Sequence, residues 1–194
     1  MKFIGKFIVF ILIISCSNKE NTLEQYANYP VKFANQKITH PSNDFSILIP
    51  KNWDWKAEDY DNENIILGID ASSKPDQNGY IDLISIQKIK SFGENKDLKS
   101  EFDYCLDIVK NNSWNRKLLE SGETEIFNEK SYFLHTISDS IKPGDTEVIS
   151  FILDSETEGV FYNLTVSASQ TEDLKKNMSI IIQSFKTFEK LNNK

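Results

Sequence analysis

Two cysteines and two histidines in 194 residues leave few of the common site chemistries open. Cys16 lies in a leading apolar segment, so Cys105 is left alone and no intramolecular disulfide is expected. His40 and His135 are far apart, with no HExxH spacing and no cysteine pair beside them, which excludes a recognisable zinc site. No apolar run approaches the roughly 20 residues that a membrane-crossing helix needs. Positive charge is scarce as well. Lys+Arg number 22 against 29 Asp+Glu, a formal net charge of −7, whereas a nucleic-acid surface needs an excess of Lys and Arg to displace phosphate counterions. No nucleophile elbow or cofactor fingerprint stands out, so no cofactor is expected. What remains is the composition of a folded chain about one domain long, 39% hydrophobic, 12% aromatic and 26% charged.

The amino terminus carries the strongest local signal. Lys2 and Lys6 precede eight unbroken apolar residues, 7–14, and Ser17, Asn18, Lys19 and Glu20 end the run, which is the layout of a secretory signal. Its last residues, Ile13-Ile14-Ser15-Cys16, resemble the lipobox of bacterial lipoproteins, an aliphatic residue and a small residue before a cysteine. The resemblance implies cleavage after residue 15, lipid attachment at Cys16, and a chain held on a membrane of the bacterial cell envelope. Residues 16–43 are rich in Asn, Lys and Gln and are expected to form a tether, with 36–40 able to add an edge strand before Pro41. Residues 44–190 then form the domain.

Period-two patterning predicts strands at 45–49, 65–69 and 80–89, the last two as a hairpin pair, with a turn-rich stretch after Pro50. Leu98, Phe102, Cys105, Leu106 and Val109 recur at helical spacing, and Cys105 on that apolar face is expected to be packed and unreactive. Strands are predicted again at 117–120, 123–127, 131–138, 146–153 and 160–168, separated by turn chemistry at Ser121-Gly122, 128–130, Pro143-Gly144-Asp145 and 155–159. Leu174, Met178, Ile181, Phe185 and Phe188 draw one stripe on a closing helix, with Ser169 and Glu172 spaced as its capping box. Connections this short exclude crossover helices between most strands, so the class is α+β, an antiparallel β-sheet flanked by α-helices.

Two stretches are similar to the PsbP-like domains. The strand Phe45-Ser46-Ile47-Leu48-Ile49 runs into Pro50-Lys51-Asn52-Trp53, and the close pairs Tyr162-Asn163-Leu164-Thr165-Val166 with a helix holding Ile181-Ile182-Gln183-Ser184-Phe185-Lys186. The resemblance spans about residues 45–188. It implies an α/β/α sandwich and a binding or accessory role without catalysis, and it transfers no functional residue.

His135 with Asp139 nearby is the only pairing that resembles a general base and its carboxylate, and a packed strand histidine explains it as well. Asp59, Asp61, Glu63 and Asp70 fall at positions 1, 3, 5 and 12 of an EF-hand-like calcium loop, although Asn64 stands where that loop needs glycine. Trp55 and Tyr60, in the same acidic region, are the expected contacts for a protein or small-ligand partner, while Trp53 is expected to cover the end of the sheet. The functional expectation is a membrane-anchored, non-catalytic binding or accessory module of the cell envelope. The alternative is an envelope hydrolase with a dispersed site.

Overall fold

A computed structural model describes residues 21–111, 115–139 and 142–191. The export segment and Cys16 lie outside the described residues. Alternating apolar positions build a seven-stranded antiparallel sheet in the order β3-β4-β5-β9-β8-β7-β6: β3 (Asp54–Ala57), β4 (Ile65–Ser72), β5 (Leu83–Lys90), β6 (Arg116–Thr124), β7 (Ser131–Ser138), β8 (Thr146–Asp154) and β9 (Val160–Ser169). A smaller sheet pairs β1 (Asn35–Thr39), β2 (Phe45–Pro50) and β10 (Glu189–Lys190). Helix α2 (Leu98–Lys110) covers β6, β7 and β8 on one face, over Phe102, Val109, Tyr132, Leu134 and Phe161. On the other face α3 (Leu174–Phe185) packs on β9 and β2, and its Met178, Ile181, Ile182 and Phe185 are fully buried. The class expected from periodicity is the one observed.

Four local expectations are corrected. The stretch 121–122 is not a turn: β6 runs through it, because Ser121 and Gly122 pair with Leu134 and Phe133. Residues after Pro50 turn only as far as Trp53, whose amide donates to the Pro50 carbonyl, and then form the edge strand β3, with Trp55 opposite Ala71. Ser169 caps nothing, since β9 extends to include it and the closing helix begins after Asp173. The tether is the largest correction. From Thr22 the chain forms α1 (Leu23–Ala27), closed by a capping box in which the Thr22 hydroxyl accepts from the Gln25 amide. Leu23 and Tyr26 are buried, and the α1 carbonyl of Ala27 accepts from Gln183 and Lys186 of the α3 end. Polar composition concealed this because only Leu23, Tyr26 and the small Ala27 dock.

Two polar networks run through the interior. Asp44 accepts from the Lys88 ammonium at 2.7 Å and from the Tyr162 hydroxyl, which ties the start of β2 to β5 and β9. Under α1, Glu147 accepts from the Tyr26 hydroxyl and shares a 2.6 Å hydrogen bond with Nε2 of the fully buried His135. Its second oxygen accepts from Gln170 at 3.2 Å. The partner of His135 is therefore Glu147 on β8, not Asp139.

Cys105 is a free, half-buried thiol on α2. Burial pushes it up to about 12, and the neighbouring Glu101 carboxylate adds to the rise, so it holds its proton at neutral pH.

Candidate functional site

At one end of the large sheet, a cavity of about 270 Å³ opens between the loop joining β4 to β5, the Pro50–Trp53 turn and the first half of α3. Phe33, Trp53 and Tyr80 supply its aromatic lining, and Ser73, Asp82, Ser169, Thr171 and Asn177 its polar lining. The loop is held by its own chemistry. One oxygen of Asp76 accepts from the amides of Asn78 and Tyr80 at 2.8 and 2.9 Å, an Asx turn, while Gly79 at φ +85° provides the left-handed residue. The Tyr80 ring lies against Gly144, where a Cβ would come within 2.6 Å of it, so a residue larger than glycine would displace this wall.

Asp82 is the buried charged group of the cavity; Lys74 and Asp76, which also line it, are exposed. It is only 9% exposed, one carboxylate oxygen accepts from the Ser169 amide at 3.2 Å, and its own amide donates to the Ser73 hydroxyl at 2.9 Å. Burial pushes its carboxyl above the ordinary aspartate range, and the Asp76 and Asp173 carboxylates add to the rise, while hydrogen bonds from Ser169 and Asn177 oppose it. Ser169 thus serves at the end of β9, where it aligns Asp82 and donates its hydroxyl to the Ile81 carbonyl.

The expected partner contacts separate. Trp55 is 40% exposed and flanks a shallow groove that shares Trp53 and Lys74 with the cavity, so its surface is continuous with the pocket mouth. Tyr60 does not join it. Its ring lies over Gly68, where a Cβ would sit 2.9 Å from the hydroxyl, and burial pushes the phenol up. Trp55→Ala is therefore expected to leave the thermal midpoint within about 2 °C of wild type, whereas Tyr60→Ala uncovers β4 and lowers it by more; thermal melts of the two variants check this.

The calcium reading of Asp59, Asp61, Glu63 and Asp70 is also corrected. Positions seven to twelve of that spacing are strand β4, and Asp70 stands in the ladder between Lys56 and Ser85. A calcium loop needs those positions to curl around the ion. Among the described residues no group of three or more His, Cys, Asp or Glu is placed to hold a metal. His40 lies 2.7 Å from the Ser42 hydroxyl, but the same Nδ1 accepts from the Ser42 amide at 3.2 Å, which makes the pair a cap on the β1–β2 turn.

No protein-family model matches the sequence, and no curated protein does. Solved structures match over most of the chain. A Mog1 point mutant superposes with a TM-score of 0.56 at 9% identity, covering 83% of this chain and 98% of that one. The cyanobacterial PsbP protein CyanoP of Synechocystis sp. PCC 6803 gives 0.52 at 12% identity over 82% and 94%. The fold is Mog1/PsbP-like. Also matching is Mog1p of Saccharomyces cerevisiae, named as a Ran-binding protein, at 0.53 and 6% identity over 83% and 97%. At these identities the likeness concerns the fold alone. No helix among the described residues is long and apolar enough to cross a membrane.

The Mog1/PsbP-like scaffold brings together a pocket that sequence reasoning missed. Phe33, the Tyr80–Asp82 loop and Asn177 belong to three separate segments, and only the Pro50-x-x-Trp53 motif pointed to this end of the sheet.

Proposed function

We propose that this chain is a lipid-anchored protein of the bacterial cell envelope, held through Cys16, and that its domain is a binding module without a catalytic step. The observation that carries the reading is the cavity beside Trp53, with aromatic side chains around one buried carboxylate and Trp55 exposed at its mouth. Pockets that mix apolar lining with a few fixed polar groups are the usual form of small-ligand sites. A named Ran-binding protein on the same scaffold supports a binding role by analogy only. The hydrolase alternative loses its main candidate, since a general base has to reach a substrate and His135 is fully buried with Nε2 engaged by Glu147.

The anchor and the pocket are tested separately. Cys16→Ala is expected to move the protein from the membrane to the soluble fraction and to abolish labelling by a fatty-acid probe; retained labelling contradicts the anchor. For the pocket, amide exchange across residues 73–82 is expected to be slower in protein recovered from its own membranes than in the same protein unfolded, washed and refolded. Equal exchange rates contradict an occupied pocket.

A further inference from the structure

The interior acids of this domain are not treated alike. Asp44 has the Lys88 ammonium 2.7 Å away and Glu147 has the His135 ring at 2.6 Å, while Glu101, also buried, takes three donors on one oxygen from Ser91, Phe92 and Gly93. Asp82 has no lysine or arginine partner among the described residues, and the charges that act on it most are the carboxylates of Asp76 and Asp173. It is also the buried acid that lines the cavity. Keeping a desolvated carboxylate ionised beside others of the same sign is costly unless a cation arrives.

We infer that the pocket takes a small organic ammonium, whose N–H groups donate to Asp82 and whose carbon skeleton lies among Phe33, Trp53 and Tyr80. This rests on the reading of the cavity as a binding site. An ammonium supplies the missing countercharge in a desolvated setting, where charge-assisted hydrogen bonds are at their strongest. Aromatic side chains suit the same ligand twice, because their faces attract cations and their area covers its carbon atoms. Thr171 adds a hydroxyl to the lining for a further polar group on the ligand, while Ser73 and Asn177 already bond within the site. The cations nearby belong to the rim: Lys74 is exposed at the mouth, and Lys176 lies 3.7 Å from Asp173 in an exposed pair.

The affinity depends on pH in a determined direction. A carboxyl pushed upward is neutral at low pH and attracts an ammonium only once ionised, so binding is full above the raised Asp82 value and is lost as pH falls through it. A butylammonium ion stays cationic across that range, as a lysine side chain does.

The test titrates the full chain, purified in detergent, with butylammonium chloride, 1-butanol, sodium butyrate and glucose at matched ionic strength. Butylammonium alone is expected to bind, about tenfold or more weaker in Asp82→Asn, with the acid-side loss of affinity absent from that variant. If Asp82→Asn does not fold, Trp53→Leu serves in its place: it keeps apolar cover, and several-fold weaker butylammonium binding is expected from it. Equal binding of butanol or glucose overturns the ammonium class and leaves the pocket reading standing. Binding of butyrate overturns the charge argument. If no probe binds, the ammonium class falls, and slowed exchange at residues 73–82 in membrane-recovered protein would still uphold the pocket itself.

Discussion

Glu147→Ala is expected to destabilise the domain by about 3–5 kcal/mol, which lowers the thermal midpoint by about 10 °C. Three side chains lose their acceptor at once: the Tyr26 hydroxyl, the His135 Nε2 and the Gln170 amide. None of the first two can turn to water, since Tyr26 and His135 are fully buried. The Nδ1 of His135 already lacks a close partner, 3.8 Å from Glu120, so the ring would be left with neither nitrogen satisfied. Glu147→Gln keeps an acceptor oxygen of the same size and is expected to retain part of the loss. Chemical denaturation of both variants checks the ranking; equal costs would mean that burial, not the acceptor, decides.

A chain that starts at Tyr29 is expected to be about 4 kcal/mol less stable than one that starts at Asn21. Removing α1 exposes the surface that Leu23 and Tyr26 bury, at about 1.5–3 kcal/mol for each large side chain. It also removes the amide donor from Glu120 and the carbonyl that Gln183 and Lys186 share. This cost is not additive with that of Glu147→Ala, because Tyr26 belongs to the same network. A free tether would make the two chains equally stable, so urea unfolding of both separates a docked helix from a linker.

Of the two effects only the second comes from a segment that pattern reading mistook, since Glu147 lies on β8 while α1 reads as tether. Periodicity located β2, α2, β7, β8, β9 and α3, because an element that buries one face has to repeat its apolar residues at the spacing of that element. It failed at β3, where Asp54, Trp55, Lys56 and Ala57 are all exposed and carry no alternation. Edge pairing alone makes that strand. Trp55 ends a row that crosses the sheet through Ala71, Ile84, Val166, Ile149 and His135 to Glu120, and no property of residues 54–57 indicates that register.

The site was still less legible, for a related reason. The Asp82 carboxylate is aligned by the amide of Ser169, 87 residues away, and Glu147 meets Tyr26 across 121. Such pairings leave no short motif. One short motif misled: Ser169 and Glu172 have capping-box spacing, yet strand β9 runs on to Ser169 and its amide is committed to Asp82. The aromatic residues were better guides. Trp53 and Trp55 both stand at the pocket or its mouth, while Tyr60, equally conspicuous in sequence, is committed to covering Gly68.

If the domain is a binding module, the cavity at Trp53 and Asp82 holds a ligand in the native protein. Native mass spectrometry of full-length protein, recovered from its own membranes in mild detergent, tests it directly. Expected are a wild-type species carrying the added mass of one small molecule and a Trp53→Ala species without it. The same added mass on both proteins, or the bare mass for both, would contradict it.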